Sequence, residues 1–359
     1  MTQTYWEKFG ASPMKIASAS QNRAVMRWLF IFTCLVAFLI VFGAFVRLTR
    51  SGLSITEWNP ISGTIPPLST EAWQEEFSKY QRTPEFQQIN FNMTLDEYKY
   101  IFWIEWIHRF LARLAGLLYA IPVFYFLLTK KIPLKDFGIY FVMGLLFIAQ
   151  AFAGWIMVAS GLVDRPSVSH FNLTIHLLLA LTLFGLAFWT LLGHRYGFQD
   201  KNKKAEWSLP SKLALVSFAL LILQIIYGGM TAGLKAGHVS DTWPLMFGKL
   251  IPPNLFSSFI NIFETPQTIV FIHRWFAFVV LIAIVIFYLS ARRYSGSIEI
   301  KNGLNWLLGL VIFQILLGIL TVLLHIQIAI ALAHQAGALA LFALLIYFIH
   351  RLRAADSVR

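Results

Sequence analysis

The chain has 359 residues, of which 58% are hydrophobic, 16% aromatic and 13% charged. So much apolar surface excludes a water-soluble globular domain and leaves a polytopic membrane protein. The formal net charge of +12 does not imply nucleic acid, because the cations sit in short loops rather than on one basic face.

Residues 1 to 27 carry Glu7 and few arginines and have no cleavage pattern after a short apolar core, so they resemble neither a secretory signal nor a transit peptide. Eight apolar runs of about 20 residues follow, near 28 to 46, 101 to 128, 137 to 159, 170 to 192, 212 to 232, 267 to 290, 303 to 324 and 327 to 350. Lipid cannot satisfy an open sheet, so each is expected to be a helix and the fold an all-α polytopic membrane protein. The first run holds Cys34, the single cysteine. That excludes a disulfide framework and a thiolate metal cluster, so redox chemistry must use a cofactor.

With the N-terminus in the cytoplasm, 18 Lys and Arg fall inside and eight outside. The positive-inside rule therefore predicts two cytoplasmic termini. The longest connection, about 47 to 100, is then extracytoplasmic; it holds Asn59-Pro60, Gly63, Pro66-Pro67 and the acidic run Glu71 to Glu76. A connection of that length is expected to be functional or itself structured.

The sequence repeats. Gly43 to Leu48 echoes Gly229 to Leu234, Trp58-Asn59-Pro60 echoes Trp243-Pro244, His108-Arg109-Phe110 echoes His273-Arg274-Trp275, Gln150 with Gly154 echoes Gln314 with Gly318, and His176 echoes His334. Two halves of four helices each insert the same way up, which predicts two pseudo-symmetric four-helix bundles about an axis along the membrane normal. The expected organisation is a cytoplasmic segment 1–27, an N-terminal bundle 28–192, a linker 193–211, a C-terminal bundle 212–350 and a tail 351–359.

Of nine histidines, His194 and His350 fall at cytoplasmic ends, His238 in an outer loop, and His170 and His325 at outer boundaries. His108, His176, His273 and His334 remain, one on each even-numbered helix, each six to eight residues in from the outer end of its run. Their common level, roughly 9 to 12 Å deep, points to two bis-imidazole sites, His108 with His176 and His273 with His334. Axial histidines on facing bundle helices hold haem; a proton relay or copper would use the same residues differently. His170, near the start of the fourth run, competes for a ligand position, and His325 stays open. Arg47, Arg50, Arg109, Arg113 and Arg274 gather toward the outer surface, where they could pair with haem propionates and so bind cofactor; for Arg47 and Arg50 the alternative is that they merely flank a helix end. Glu105 stands three residues before His108, on the same helix face, whereas Val270 stands three before His273. Only the N-terminal site then has an acid for proton chemistry.

The Gly43-x-x-Val46-Arg47-Leu48-Thr49-x-Ser51-Gly52-Leu53-Ser54 stretch with Trp58-x-Pro60, Glu105-x-x-His108-Arg109, Ser160-Gly161-Leu162, His176-Leu177, Thr242-Trp243-Pro244-Leu245-Met246, His273-Arg274 and His334-Gln335 together resemble the haem A synthase family of cytochrome oxidase assembly. The likeness runs from about Arg27 to Arg353. It implies oxidation of the C8 methyl of haem O to the formyl of haem A by successive hydroxylation, with water as the expected oxygen source. By the same resemblance, His273 and His334 ligate a haem b cofactor, His108 and His176 mark the substrate haem, and Glu105 is the essential glutamate. Some members carry a cysteine pair in the first outer loop; this loop has none, like the cysteine-free proteobacterial and mitochondrial type. With no transit peptide, a bacterial inner membrane is the expected location. Contact with haem O synthase and a homo-oligomer are compatible with this reading, and no nicotinamide or flavin fingerprint identifies the electron partner. Two alternatives remain: a di-haem cytochrome b serving a quinol dehydrogenase, and a transporter built from a parallel repeat. Against the latter, the ionisable groups sit near one surface rather than at a broken midplane helix.

Overall fold

The computed structural model describes residues 19–163, 166–197, 207–294 and 297–356. Lys8, Lys15, Arg165, Lys201, Lys203, Lys204 and Arg359, which enter the topology argument, lie outside the described residues.

Eight long helices are each apolar enough to cross a membrane. They are α1 (Ala19–Leu48), α4 (Leu95–Leu128), α5 (Phe137–Ala159), α6 (His170–Tyr196), α7 (Leu209–Gly233), α9 (Pro266–Tyr294), α10 (Ile298–Leu323) and α11 (Ile328–Asp356). No β-strand is present among the described residues. Six of the eight expected runs fall inside these helices, and the last two overrun α10 and α11 by one residue each. The long connection is itself structured, by α2 (Thr70–Gln81) and α3 (Pro84–Gln88), and α8 (Asn261–Glu264) precedes α9. The acidic run Glu71 to Glu76 lies in α2, whose first turn is capped by Ser69, its hydroxyl accepting from Ala72 N at 3.2 Å.

α4 starts earlier than its apolar run suggests, because Thr94 and Glu97 form a capping box. Thr94 N and Oγ1 donate to Glu97 Oε2 at 2.8 and 2.9 Å, and Glu97 N donates to Thr94 Oγ1 at 3.4 Å. The extra turns, about 9 Å of helix, form a post onto which the loop folds. Tyr80, Tyr98, Ile101 and Phe102 are buried there with Trp73, Phe77 and Phe86 packed around them. Each ring contributes roughly 2 kcal/mol of burial.

Helices α1, α4, α5 and α6 touch in a closed circuit, as do α7, α9, α10 and α11; α6 with α7, and α11 with α1 and α6, join the two sets. The main apolar core fills the end of the helices remote from the long loop, here the tail end. It runs from Trp28, Leu29 and Phe32 through Tyr119, Phe126 and Phe184 to Phe287, Phe342 and Phe348. The four deep histidines occupy the other, loop-end half.

Candidate functional site

His108 on α4, His176 on α6, His273 on α9 and His334 on α11 each face a glycine on a neighbouring helix. A Cβ at Gly43 (α1) would stand 3.3 Å from His108 Nε2. At Gly154 (α5), Gly228 (α7) and Gly318 (α10) it would stand 2.9, 3.0 and 3.0 Å from the Cε1 of His176, His273 and His334. At these separations a methyl group would press on each ring, so glycine lets the ring lie close against the helix opposite.

Four residues before each glycine come Leu39, Gln150, Gln224 and Gln314, and each ring turns toward the main-chain carbonyl of that residue. His176 Nδ1 and His334 Nδ1 are buried short of hydrogen-bond geometry. The carboxamides add to the grip. Gln224 Nε2 donates to His273 O at 2.9 Å and lies 3.2 Å from His273 Nδ1. Gln314 Nε2 donates to His334 O at 2.8 Å, and Gln150 Nε2 lies 3.3 Å from His176 Nε2. Only His108 has an apolar residue, Leu39, in this place. In His273 the nitrogen beside the carboxamide is Nδ1, which leaves Nε2 for a metal, whereas in His176 it is Nε2 that lies beside Gln150.

The His273 and His334 ring centres are 6.4 Å apart with planes at 88°. Two imidazoles bound to opposite sides of one metal at about 2.0 Å have centres about 6 Å apart, so this pair fits one iron held between them. No group of three or more His, Cys, Asp or Glu gathers among the described residues. Two protein ligands per site is the number that suits a tetrapyrrole iron.

Glu105 is buried and both its oxygens are engaged. Oε1 receives Arg109 Nε and Nη2 at 3.0 and 2.7 Å; Oε2 receives Ser54 Oγ at 2.7 Å and Ile55 N at 2.9 Å. Arg109 continues into the loop, donating through Nη2 to Ile55 O at 2.9 Å and through Nη1 to Glu57 O at 3.1 Å. Arg274 makes the same latch in the second half, through Nη2 to Ser240 O at 2.6 Å and Nη1 to Thr242 O at 3.0 Å. What it lacks is the carboxylate: Val270 is buried in an apolar cluster with Ala236 and Met246, and Arg274 Nε is buried with no partner.

Expected to face propionates, three of the five arginines hold loop carbonyls instead. Besides Arg109 and Arg274, Arg113 donates through Nε to Pro60 O at 2.9 Å and through Nη2 to Asn59 O at 3.0 Å. Arg47 reaches Ala232 O at 3.2 Å, and Arg50 is exposed at a left-handed φ of 54°. His170 Nε2 lies 2.9 Å from Phe263 O, which ties α6 to α8 in the connection between α7 and α9. His325 is exposed, its Nδ1 3.9 Å from Asp241 Oδ2. Neither joins the quartet.

The structure also resets the repeat by one residue. Gly228, not Gly229, plays the part of Gly43; Gly229 packs on Thr174. With that register Arg50 pairs with Lys235, both at φ 54°, and Arg47 with Ala232, 185 positions on. The repeated Gln-x-x-x-Gly spacing of Gln150, Gln224 and Gln314 is the sequence signal that identifies the glycine cradles; the shifted alignment conceals its Gln224 member.

Residues 26–346 match the model of the COX15-CtaA family, described as cytochrome oxidase assembly protein. A relative from Wolbachia pipientis wMel, named Heme A synthase, is 43% identical over 93% of this chain and 94% of its own length. Proteins of the same name from Flavobacterium psychrophilum and Parvibaculum lavamentivorans are 40% and 39% identical, over 92% and 93% of this chain and 98% and 95% of theirs. The match spans both histidine pairs and both loop latches, and the chain belongs to the COX15-CtaA family of cytochrome oxidase assembly proteins.

Proposed function

We propose that this chain is a haem A synthase, an oxidoreductase of the bacterial inner membrane that converts the C8 methyl of haem O to the formyl group of haem A. The observation that carries the reading is a duplicated pair of histidine cradles of which one alone has a buried acid beside it, in a chain whose relatives bear that name. His108 and His176 hold the substrate haem in the N-terminal four-helix bundle. His273 and His334 hold a haem b in the C-terminal bundle, which supplies one-electron transfer when bound.

Oxidation by two hydroxylations gives a hydrate that loses water to the aldehyde. With water as oxygen source, the methyl group and one net water together give up four protons and four electrons, the electrons going to an acceptor outside the chain. The chain's part is to fix the methyl and to receive protons. Glu105 is the acid present for that task, and the Ser54 hydroxyl on its Oε2 leads toward the outer loop. Arg109 holds both the carboxylate and the loop strand, so it positions Glu105. Arg47 and Arg50, which hold no loop carbonyl of their own half, are the arginines left to meet propionates.

The pseudo-symmetric two-bundle arrangement is supported by the two closed circuits of helices and the matching latches. Cytoplasmic termini are supported by the Lys and Arg asymmetry. Proximity to haem O synthase follows from the poor solubility of the substrate.

The test is analysis of haem extracted with acid from the purified protein after expression with a haem O source. Haem O, haem A or a hydroxylated intermediate supports the synthase; haem b alone supports an electron-transfer cytochrome. Glu105→Gln is expected to keep the C-terminal low-spin spectrum while haem A formation falls by on the order of a hundredfold or more.

A further inference from the structure

The two halves differ in how their loops lie against the bundle. Segment 57 to 60 is fastened to α4 on both sides of Trp58: Arg109 holds Glu57 O, and Arg113 holds Asn59 O and Pro60 O. The Trp58 indole nevertheless leaves α4 and stacks on α5, with ring centres 5.2 Å from Trp155 and 6.0 Å from Phe152. Its backbone belongs to one helix and its ring to the next, so it bridges the seam between them. Its repeat partner Trp243 does not bridge. Arg274 ties Thr242 O to α9, and the Trp243 ring lies on the same helix, 5.7 Å from Trp275 and 6.2 Å from Phe278.

Beneath Trp58 the seam is loose. Gly116 against Phe147, Gly144 against Tyr119, and the Tyr119 hydroxyl on Tyr140 O all join α4 to α5 toward the tail end. The buried residues of α5, Tyr140 and Met143, lie there too. Its loop-end half leans on α6 through Gly154 and His176. In the second half, the corresponding helices α9 and α10 are in closer contact than α4 and α5.

We propose that the loop-end seam between α4 and α5 is the lateral passage by which a porphyrin carrying a long isoprenoid chain enters and leaves the His108 and His176 site from the bilayer, with the Trp58 indole as its movable bar. This rests on the synthase reading. A haem that stays bound needs a closed bundle, whereas a haem exchanged at every turnover needs an opening, and the loose seam belongs to the half with the acid. An isoprenoid chain stays in hydrocarbon if the exit faces lipid, and it loses that burial if it must pass through a watery loop. Stacked aromatic rings form a barrier that can part without breaking a hydrogen bond, while Arg109 and Arg113 keep the backbone of the bar in register.

The experiment uses the full chain in vesicles, with Cys34→Ser, and haem O delivered from separate vesicles. A Trp58→Cys, Trp155→Cys pair joined by a short bismaleimide is compared with a joined Trp243→Cys, Phe278→Cys pair. Closing the first pair is expected to slow haem O uptake on the order of tenfold or more, and to trap haem O loaded beforehand. The C-terminal low-spin spectrum should be unchanged, and the second pair should load like the unjoined protein. Trp58→Ala is expected to speed exchange. Uptake by the joined first pair at the unjoined rate overturns the passage, as does Trp58→Ala exchanging no faster than the parent. If the unjoined parent takes up no haem O, the synthase reading falls and the passage with it.

Discussion

Four missing methyl groups shape the two sites. Each glycine opposite a histidine ring is intolerant for a reason that composition cannot reveal, since Gly138 and Gly309 also sit in long helices with nothing near their absent Cβ. Gly318→Ala should push a methyl to 3.0 Å from the His334 ring and lower low-spin haem per protein, read by its Soret absorbance; Gly309→Ala should leave it unchanged. The histidines themselves were legible, because ionisable groups at membrane depth are costly and four at one level need a common cause. The arginine roles were not. A guanidinium in a span reads as an anion partner, yet Arg109, Arg113 and Arg274 satisfy loop carbonyls, a need created only when the loop folds back. Arg109→Lys keeps the charge but loses the fork, so it should loosen residues 54 to 58 in amide hydrogen exchange and reduce turnover.

At the scale of elements, apolar runs marked all eight long helices, while α2 and α3 were hidden in a polar stretch whose order comes from the buried side of α4. Within that cap Glu85 is 4% exposed, its carboxylate taking the Tyr80 hydroxyl at 3.3 Å. Burial pushes its carboxyl from 4.5 up to about 7, with Glu105 adding to the rise and Lys235 and Arg50 opposing it. The folded cap therefore keeps a proton that the unfolded loop releases. Its stability is highest at or below pH 4.5 and falls as pH rises to about 7, by up to roughly 3 kcal/mol. Hydrogen exchange across residues 80 to 93 should quicken over that window, and Glu85→Gln should flatten the dependence.

In the whole molecule, the end of α11 closes on the start of α7. Asp356 Oδ2 accepts from Ser208 N and Oγ, both at 3.1 Å, and from Ser211 Oγ at 2.6 Å, serving as a helix cap supplied from 145 residues away. Asp356→Ala should cost about 1 to 2 kcal/mol and lower the midpoint of thermal unfolding in detergent while leaving the haem spectrum of the folded fraction intact. The duplication behind this layout was readable, but its register was not, because small residues around Gly228 and Gly229 allow a slip of one that only contacts resolve. Once it is set, Arg47 touches Ala232, the residue holding its own place in the other half. In a pair of identical chains a self-contact of that kind can form only on the twofold axis, where two arginines would meet head on. With two different halves in one polypeptide, that place holds a donor on one side and a carbonyl on the other. Either half set against a copy of itself would lose the pairing.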